Sequence, residues 1–557
     1  MSKPIVAKEE VSGGEVVARI LEQFGVTTAF GVISIHNDPM LEAFERRKRI
    51  RFVPARGEAG ATNMADGYAR TNKSLGVVVT STGPGAGNAA GALTEALTAG
   101  TPLLHLTGQI DARDVDHGRG MNHETADQLS MLKAVSKAAF RVRSSSELAR
   151  VITEAVTCAL DLPSGPVSVE IPIDIQMKPA PMPSYVPRNG KRRVEVDSKA
   201  VDYLVALLRA ARRPLLWAGG GARHCGAEIE RLLSRGVGLV TSVHGRAVTA
   251  EDHPLTLGAL NNGNAAEEFY RTCDLTIVAG SRLRGTETSV HRLALPSPLA
   301  QIDLDLRAWN RNYASDLFVL GDSAEVLANL ADRLPADWRP DPKFASDFAA
   351  AKRNAVAEMR KAIGPYAEIS DMLREAMPRD AIFVRDVTVS ANTWGNRLFP
   401  MYQNQGSIHA LGGGIGQGVQ QAIGACFAAK NRKVVALCGD GGLALNIGEL
   451  ATAVQENVDL LIILMNDGGY GVIRNIVKSR YGDRRFYSEL FLPDLMNYAR
   501  VMNMQAWRVG TLEEFRNTIS QAMAATGPRL LEVDMNGIGA FPEAFAGPRL
   551  RPTPTAR

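Results

Sequence analysis

The chain has 557 residues, room for about three to four domains of about 150 residues, which excludes a single small binding module. Hydrophobic residues at 45%, charged residues at 22% and a mean hydropathy of -0.07 exclude a disordered or membrane-embedded class. A net charge of +4 over this length is too small for a general nucleic-acid or anionic-lipid footprint. Five cysteines, odd in number and without CxxC spacing, read as reduced thiols in a cytoplasmic protein. The N-terminus lacks an apolar signal core and no run of about 18 apolar residues occurs, so neither export nor membrane insertion is expected.

The first elements begin at Ser12-Gly13-Gly14-Glu15, an S-x-x-E capping box followed by Val16, Val17, Ile20, Leu21 and Phe24 at helical spacing. Strands are expected at Thr28 to Val32, at Val77 to Thr80 before a Gly-Pro-Gly turn, and at Leu103 to Thr107. Two stretches dense in proline and charge, Lys178 to Arg193 and Leu334 to Lys343, read as linkers and cut the chain into three similar parts. The middle part repeats the strand-then-glycine theme at Pro214 to Ala218, Leu275 to Ala279 and Gln301 to Asp305. The last does so at Ala381 to Val384, Val434 to Leu437, Leu460 to Met465 and Leu530 to Val533. Short β-branched runs alternating with longer amphipathic ones imply an α/β chain of parallel sheets flanked by helices. The boundaries read from this pattern are 1–180, 194–335 and 360–540, with 541–557 as a mobile tail rich in proline and arginine.

The most informative segment is Val434 to Asp467. One strand ends in Gly439-Asp440-Gly441-Gly442, a helix follows, and the next strand ends in Asn466-Asp467-Gly468-Gly469, with 24 residues between Gly441 and Asn466. Glycines at a strand-to-helix turn let backbone amides face a phosphate. Oxygen-bearing side chains at two neighbouring strand ends can share a hard divalent cation. The pattern therefore reads as a metal-diphosphate clamp built on Asp440 and Asp467, with Gly439, Gly441 and Gly442 against the phosphates.

This arrangement resembles the thiamine diphosphate-dependent enzymes, whose cofactor motif is GDG followed about two dozen residues later by an Asn pair. The resemblance implies that Asp440, Asp467 and the carbonyl of Gly469 hold Mg2+; Asp467 stands where Asn is commoner, and aspartate is an acceptable magnesium ligand. It extends across the chain and is nearest the branch of acetolactate synthase, 2-oxo acid decarboxylases and benzaldehyde lyase. It implies three doubly wound parallel-sheet domains: pyrimidine-binding, central nucleotide-binding-like and diphosphate-binding.

Arg56-Gly57-Glu58-Ala59-Gly60, continuing to Met64-Ala65-Asp66-Gly67-Tyr68-Ala69-Arg70, looks like the family's first-domain signature. Its glutamate, Glu58, would be the carboxyl that hydrogen-bonds the cofactor's aminopyrimidine ring. In Gly412-Gly413-Gly414-Ile415-Gly416-Gln417-Gly418, Ile415 takes the place of the apolar residue beneath the bent cofactor, and the Gly413 carbonyl would accept from the pyrimidine amino group. His36 and His123 fall where relatives place groups facing the substrate, each suited to moving protons near neutral pH. Gly219-Gly220-Gly221, Gly280-Ser281-Arg282 and Asp303-Leu304-Asp305 look like the middle domain that takes FAD or ADP in some relatives.

Glu58 and Asp440 lie 382 residues apart in different domains, and the resemblance implies that they meet across a homodimer interface within a homotetramer. The activity implied is non-oxidative decarboxylation of a 2-oxo acid with transfer of the acyl unit to an acceptor carbonyl. Alternatives are a simple 2-oxo acid decarboxylase, a lyase acting on a 2-hydroxy ketone or 2-hydroxyacyl-CoA, and a flavin-dependent oxidase of the pyruvate oxidase type. CoA-using relatives bind substrate phosphates with basic residues, for which Arg549 and Arg551 are the candidates here.

Overall fold

The β-branched runs fold as fully buried strands, such as Gly76–Thr80 and Leu103–Gln109, and strands buried on both faces belong in parallel sheets covered by helices on each side. A computed structural model describes residues 9–183 and 194–547 and holds three such sheets, each of six parallel strands. The fold class read from the sequence is therefore observed. Among the described residues no helix is long and apolar enough to cross a membrane.

In the first sheet the spatial order is Arg51–Pro54, Thr28–Gly31, Gly76–Thr80, Leu103–Gln109, Pro166–Pro172 and Ala138–Arg141. In the third it is Ser407–His409, Ile382–Arg385, Val434–Gly439, Leu460–Asn466, Arg529–Asp534 and Gln505–Val509. Numbered within each unit, both run 2-1-3-4-6-5. The middle sheet, from Thr256–Gly258 through Pro214–Ala218 to Leu317–Leu320, runs 3-2-1-4-5-6, the order of dinucleotide-binding sheets. The reversal of strand order makes a crevice at the carboxyl ends of the strands, where ligands bind in open α/β sheets.

Several local expectations are corrected. The first helix, Gly13–Gln23, is capped by Ser12, whose hydroxyl accepts from Glu15 N at 3.3 Å, but the Glu15 carboxylate does not return to the cap. It takes Arg19 at 2.6 Å, Arg46 at 2.7 Å and Arg47 at 2.5 Å instead, because three cations outcompete one backbone amide. The stretch assigned to a linker from Lys178 contains a strand, Pro179–Met182, paired antiparallel with Glu9–Ser12; an edge strand tolerates its prolines. Leu334 to Lys343 is also packed, with Leu334 and Trp338 buried and the Trp338 indole donating to Arg209 O at 3.1 Å. Residues 541–547, assigned to a tail, lie against the third unit: the Phe541 ring stacks on Tyr366 at 4.0 Å, and Asn475 donates to Phe545 O at 3.1 Å. Arg549 and Arg551 lie outside the described residues.

The first and third units share one hydrophobic core, joined where helix Glu58–Asn72 crosses helix Gly418–Ala428. A Cβ on Gly67 would sit 2.0 Å from Gln421 O, and one on Gly424 would sit 1.8 Å from Met64 O. The helices approach this closely because both crossing points lack side chains. Gly424→Ala is expected to force the helices apart at a cost of about 1–3 kcal/mol or more, read as a lowered melting temperature; an unchanged melting temperature contradicts this packing.

Candidate cofactor and active site

On the third sheet, strand Val434–Gly439 delivers Asp440 to the first position of helix Asp440–Leu445, and the adjacent parallel strand Leu460–Asn466 delivers Asp467 to its own end. Parallel pairing in register thus puts both carboxylates at one sheet edge. Asp440 Oδ1 accepts from Asp467 N at 3.4 Å, while Oδ2 is buried without a hydrogen-bond partner among the described residues. Burial pushes the Asp440 carboxyl above its ordinary pKa; burial and the neighbouring Asp440 push Asp467 up to about 6, opposed by Arg474. Gly469 has φ +141, and its carbonyl faces Gly441, where a Cβ would come within 2.7 Å. Two crowded carboxylates, one with an orphaned oxygen, and a carbonyl beside them fit a hard divalent cation, which relieves their repulsion.

The glycine turn expected to hold the cofactor's middle packs on the same edge. A Cβ on Gly416 would meet Gly442 O at 2.7 Å. Gly413 has φ +81, with nothing within 4 Å of a Cβ, and Ile415 remains 36% exposed despite its apolar side chain. The turn is pinned by Asp386, which follows strand Ile382–Arg385: its carboxylate accepts from Gly416 N at 3.0 Å and Val387 N at 2.6 Å. Burial pushes Asp386 up to about 6 even though backbone N–H groups oppose it. Asn446 adds a bond to Gly416 O at 2.9 Å. Neither Asp386 nor Asn446 was expected from sequence, although an acid immediately after a buried strand is a signal that could have found Asp386.

On the first unit, Glu58 opens its helix half-buried. Glu58 Oε2 accepts from Asn88 at 3.1 Å, and Oε1 faces Gly85, where a Cβ would lie 2.9 Å from it and equally close to Ser81 Cβ. Ser81 Oγ bonds His123 Nδ1 at 3.1 Å, and the His123 ring lies 5.1 Å from that of His36. Glu58, Ser81, His123 and His36 therefore follow one another along one face. His123 sits at φ +66, its carbonyl against Gly83, where a Cβ would come within 2.1 Å. Gly83 N donates to buried Gln128 Oε1 at 2.6 Å, and Gln128 donates to buried Glu170 at 2.9 Å. Burial, with His123 nearby, pulls the His36 pKa below the ordinary imidazole range, so this ring is neutral at pH 7. Its Nδ1 is buried without a partner among the described residues.

Among the described residues no hydrogen bond joins the Glu58 carboxylate to the third unit's glycine turn. Glu58 bonds within its own unit, and a cavity of about 790 Å3 that Gly413 lines takes its walls from the middle and third units and the helix Phe344–Ile363, including Asn392, Val472 and Ile476. The start of the Glu58 helix meets the third unit elsewhere: buried Glu449 accepts from Gly57 N at 3.0 Å and Arg56 N at 3.1 Å. A second cavity of about 600 Å3 lies between the first and middle units, bounded by Gly220, Gly280, Arg282, Asp303 and Asp305.

The chain belongs to the thiamine pyrophosphate enzyme family. Residues 11–131 match its N-terminal TPP binding domain, 201–330 its central domain and 388–533 its C-terminal TPP binding domain. A probable 2-ketoarginine decarboxylase of Pseudomonas aeruginosa is 32% identical over 85% of each chain. A probable acetolactate synthase large subunit of Methanocaldococcus jannaschii is 26% identical over 97% of this chain and 94% of its own. The acetolactate synthase large subunit of Lactococcus lactis is 27% identical over 87% and 86%. The chain is thus a thiamine diphosphate-dependent enzyme of the acetolactate synthase-like branch.

Asp386→Asn replaces one of the two acceptor oxygens that share Gly416 N by a donor, which opposes that N–H and weakens the hold on the turn. The expected cost is about 1–3 kcal/mol in chemical denaturation; a variant as stable as the parent removes Asp386 from this role.

Proposed function

We propose that the protein decarboxylates a 2-oxo acid without net oxidation and transfers the acyl unit to an acceptor carbonyl, with thiamine diphosphate anchored through Mg2+. The observation that carries this reading is the pair Asp440 and Asp467, crowded at one sheet edge with an orphaned carboxylate oxygen. Bound there, thiamine diphosphate supplies an electron sink for cleaving the bond between a carbonyl carbon and its carboxylate. The chain's residues bind and orient it: Asp440, Asp467 and the Gly469 carbonyl hold the metal, and the amides of Gly441 and Gly442, at the turn after Gly439, face the phosphates. Gly413 offers its carbonyl to the pyrimidine amino group, and Ile415 supports the bend. Glu58 holds a proton at the pyrimidine ring, and neutral His36 with His123 moves protons on the substrate side.

The active site would be completed by a second copy of the chain, since Glu58 and Gly413 occupy separate faces. Apolar side chains left in water beside each face support this: Ile33 and Ile35 at 65% exposure flank His36, and Leu445 at 51% ends the Asp440 helix. Covering them by pairing first unit against third removes that cost. A homodimer is then the smallest active form, and a homotetramer a pair of such dimers.

A second reading, simple decarboxylation of a long polar 2-oxo acid, is favoured by the cavity beside Gly413. Its volume of about 790 Å3 exceeds what a three-carbon acid fills, and its wall is polar and of mixed charge, with Glu267, Glu287 and Glu358 beside Arg284, Arg292 and Arg397. Such a wall suits a long polar tail, and the substrate named for the Pseudomonas relative has one. The middle cavity would take FAD or ADP, with Asp303 and Asp305 toward ribose hydroxyls and Arg282 toward phosphate.

Purified protein supplied with thiamine diphosphate and Mg2+ is expected to release carbon dioxide from a 2-oxo acid in a panel that includes pyruvate and 2-ketoarginine. Acetolactate from pyruvate marks the carboligase and an aldehyde alone the simple decarboxylase; absence of carbon dioxide from every member overturns both. Asp467→Ala is expected to weaken magnesium-dependent cofactor retention at least about tenfold. Glu58→Gln is expected to keep the cofactor while turnover falls by about 10²–10⁴. Flavin absorbance in the purified protein reports on the middle cavity.

A further inference from the structure

The glycine turn that carries Gly413 and Ile415 is fixed at one end by Asp386. Its other end has no strand to hold it, because strand Ser407–His409 stops just before. The backbone from His409 to Gly412 is held instead by charged side chains from the other two units. Arg70 Nη1 donates to His409 O at 2.8 Å, and Arg284 Nη2 donates to Leu411 O at 2.8 Å. Glu95, on helix Pro84–Ala99, accepts from Leu411 N at 2.7 Å on one carboxylate oxygen and from Gly412 N at 2.5 Å on the other.

Glu95 is 2% exposed, and its first oxygen also accepts from Arg70 Nη2 at 2.7 Å. Burial works against the charge on Arg70, but Asp66 and Glu95 beside it more than offset this and hold its pKa above the ordinary arginine value. Gly412 lies so close that a Cβ there would sit 2.8 Å from Glu95 Oε2. Between this anchor and Asp386 only residues 413–415 are spanned, and at Gly413 the space a Cβ would take is open. The two buried carboxylates thus set where the Gly413 carbonyl and Ile415 stand.

We infer that Glu95 is a positioning residue for the cofactor's pyrimidine half, acting through Leu411 and Gly412 on the carbonyl of Gly413. The inference rests on the cofactor reading above. The first unit then acts twice: within one chain it aims the third unit's cofactor turn, while its own Glu58 bonds Asn88 inside the first unit. A carboxylate is required because both oxygens must accept; the amide of glutamine presents a donor to one of the N–H groups and repels it.

The diphosphate half is held at the other end of the site, so the two halves separate the possibilities. Full-length protein freed of cofactor is titrated calorimetrically, in Mg2+, with thiamine diphosphate and with inorganic pyrophosphate. In Glu95→Gln the Kd for thiamine diphosphate is expected to rise about tenfold, a loss of about 1.4 kcal/mol, while that for pyrophosphate stays within about twofold. An unchanged Kd for thiamine diphosphate overturns the inference, and so does a parallel loss of both ligands, which marks Glu95 as support for the fold alone. Binding of neither ligand by the parent protein overturns the cofactor reading and this inference with it. Should Glu95→Gln fail to fold, Arg284→Met removes the bond to Leu411 O from a half-buried position. It is expected to raise the thiamine diphosphate Kd about threefold with pyrophosphate unchanged, and no change in either contradicts the arrangement.

Discussion

The close crossing of helices Glu58–Asn72 and Gly418–Ala428 is the contact on which the rest of the arrangement depends. With Gly67 against Gln421 and Gly424 against Met64, the two backbones touch, and the apolar faces of the first and third sheets merge into one core. Around that contact lies a polar network: Gln421 donates to Asp66 while its own Oε1 stays buried without a partner among the described residues, Asp66 and Glu95 hold Arg70, and Arg70 and Glu95 reach the backbone at and just beyond the end of the third unit's edge strand. Buried charges are tolerated there because each has several partners; removing one would leave the others uncompensated.

The same crossing also fixes where Glu58 stands relative to the third unit. The two residues that precede the helix beginning at Glu58, Arg56 and Gly57, have their amides taken by Glu449 of the third unit, which fixes the helix start while leaving the Glu58 carboxylate on Asn88. The intrachain interface is consumed in holding the units rigidly together, and the faces bearing His36 and Ile415 are left outward with apolar side chains in water. The homodimer proposed above would pair units that are already fixed in place, leaving little ordering to be done on association.

Topology shows a similar economy. First and third units use the same strand order, which puts each unit's candidate site residues at the carboxyl edge of its sheet, whereas the middle unit uses the dinucleotide order and opens its crevice toward the first unit. Arg284, Glu287 and Leu411 border both cavities, so the nucleotide-like crevice and the cleft beside Gly413 share a wall.

Much of this was legible in the residues themselves. Buried β-branched runs, their alternation with amphipathic runs and the strand-end Gly439-Asp440-Gly441 and Asn466-Asp467 determined the sheet class, the three-part plan and the candidate metal edge, because each depends on local periodicity or on the fixed register of neighbouring parallel strands. What only the tertiary structure decided involves partners far apart in the chain. Glu95, Asp386, Glu449 and Gln128 carry no motif, yet each satisfies backbone or side-chain groups of a turn that no local pattern could supply. Pro179–Met182 read as linker because its prolines oppose a strand, and only the distant Glu9–Ser12 made an edge pairing for it. Local sequence specifies what a segment prefers; which buried N–H is met by which distant carboxylate is settled only when the helices have crossed.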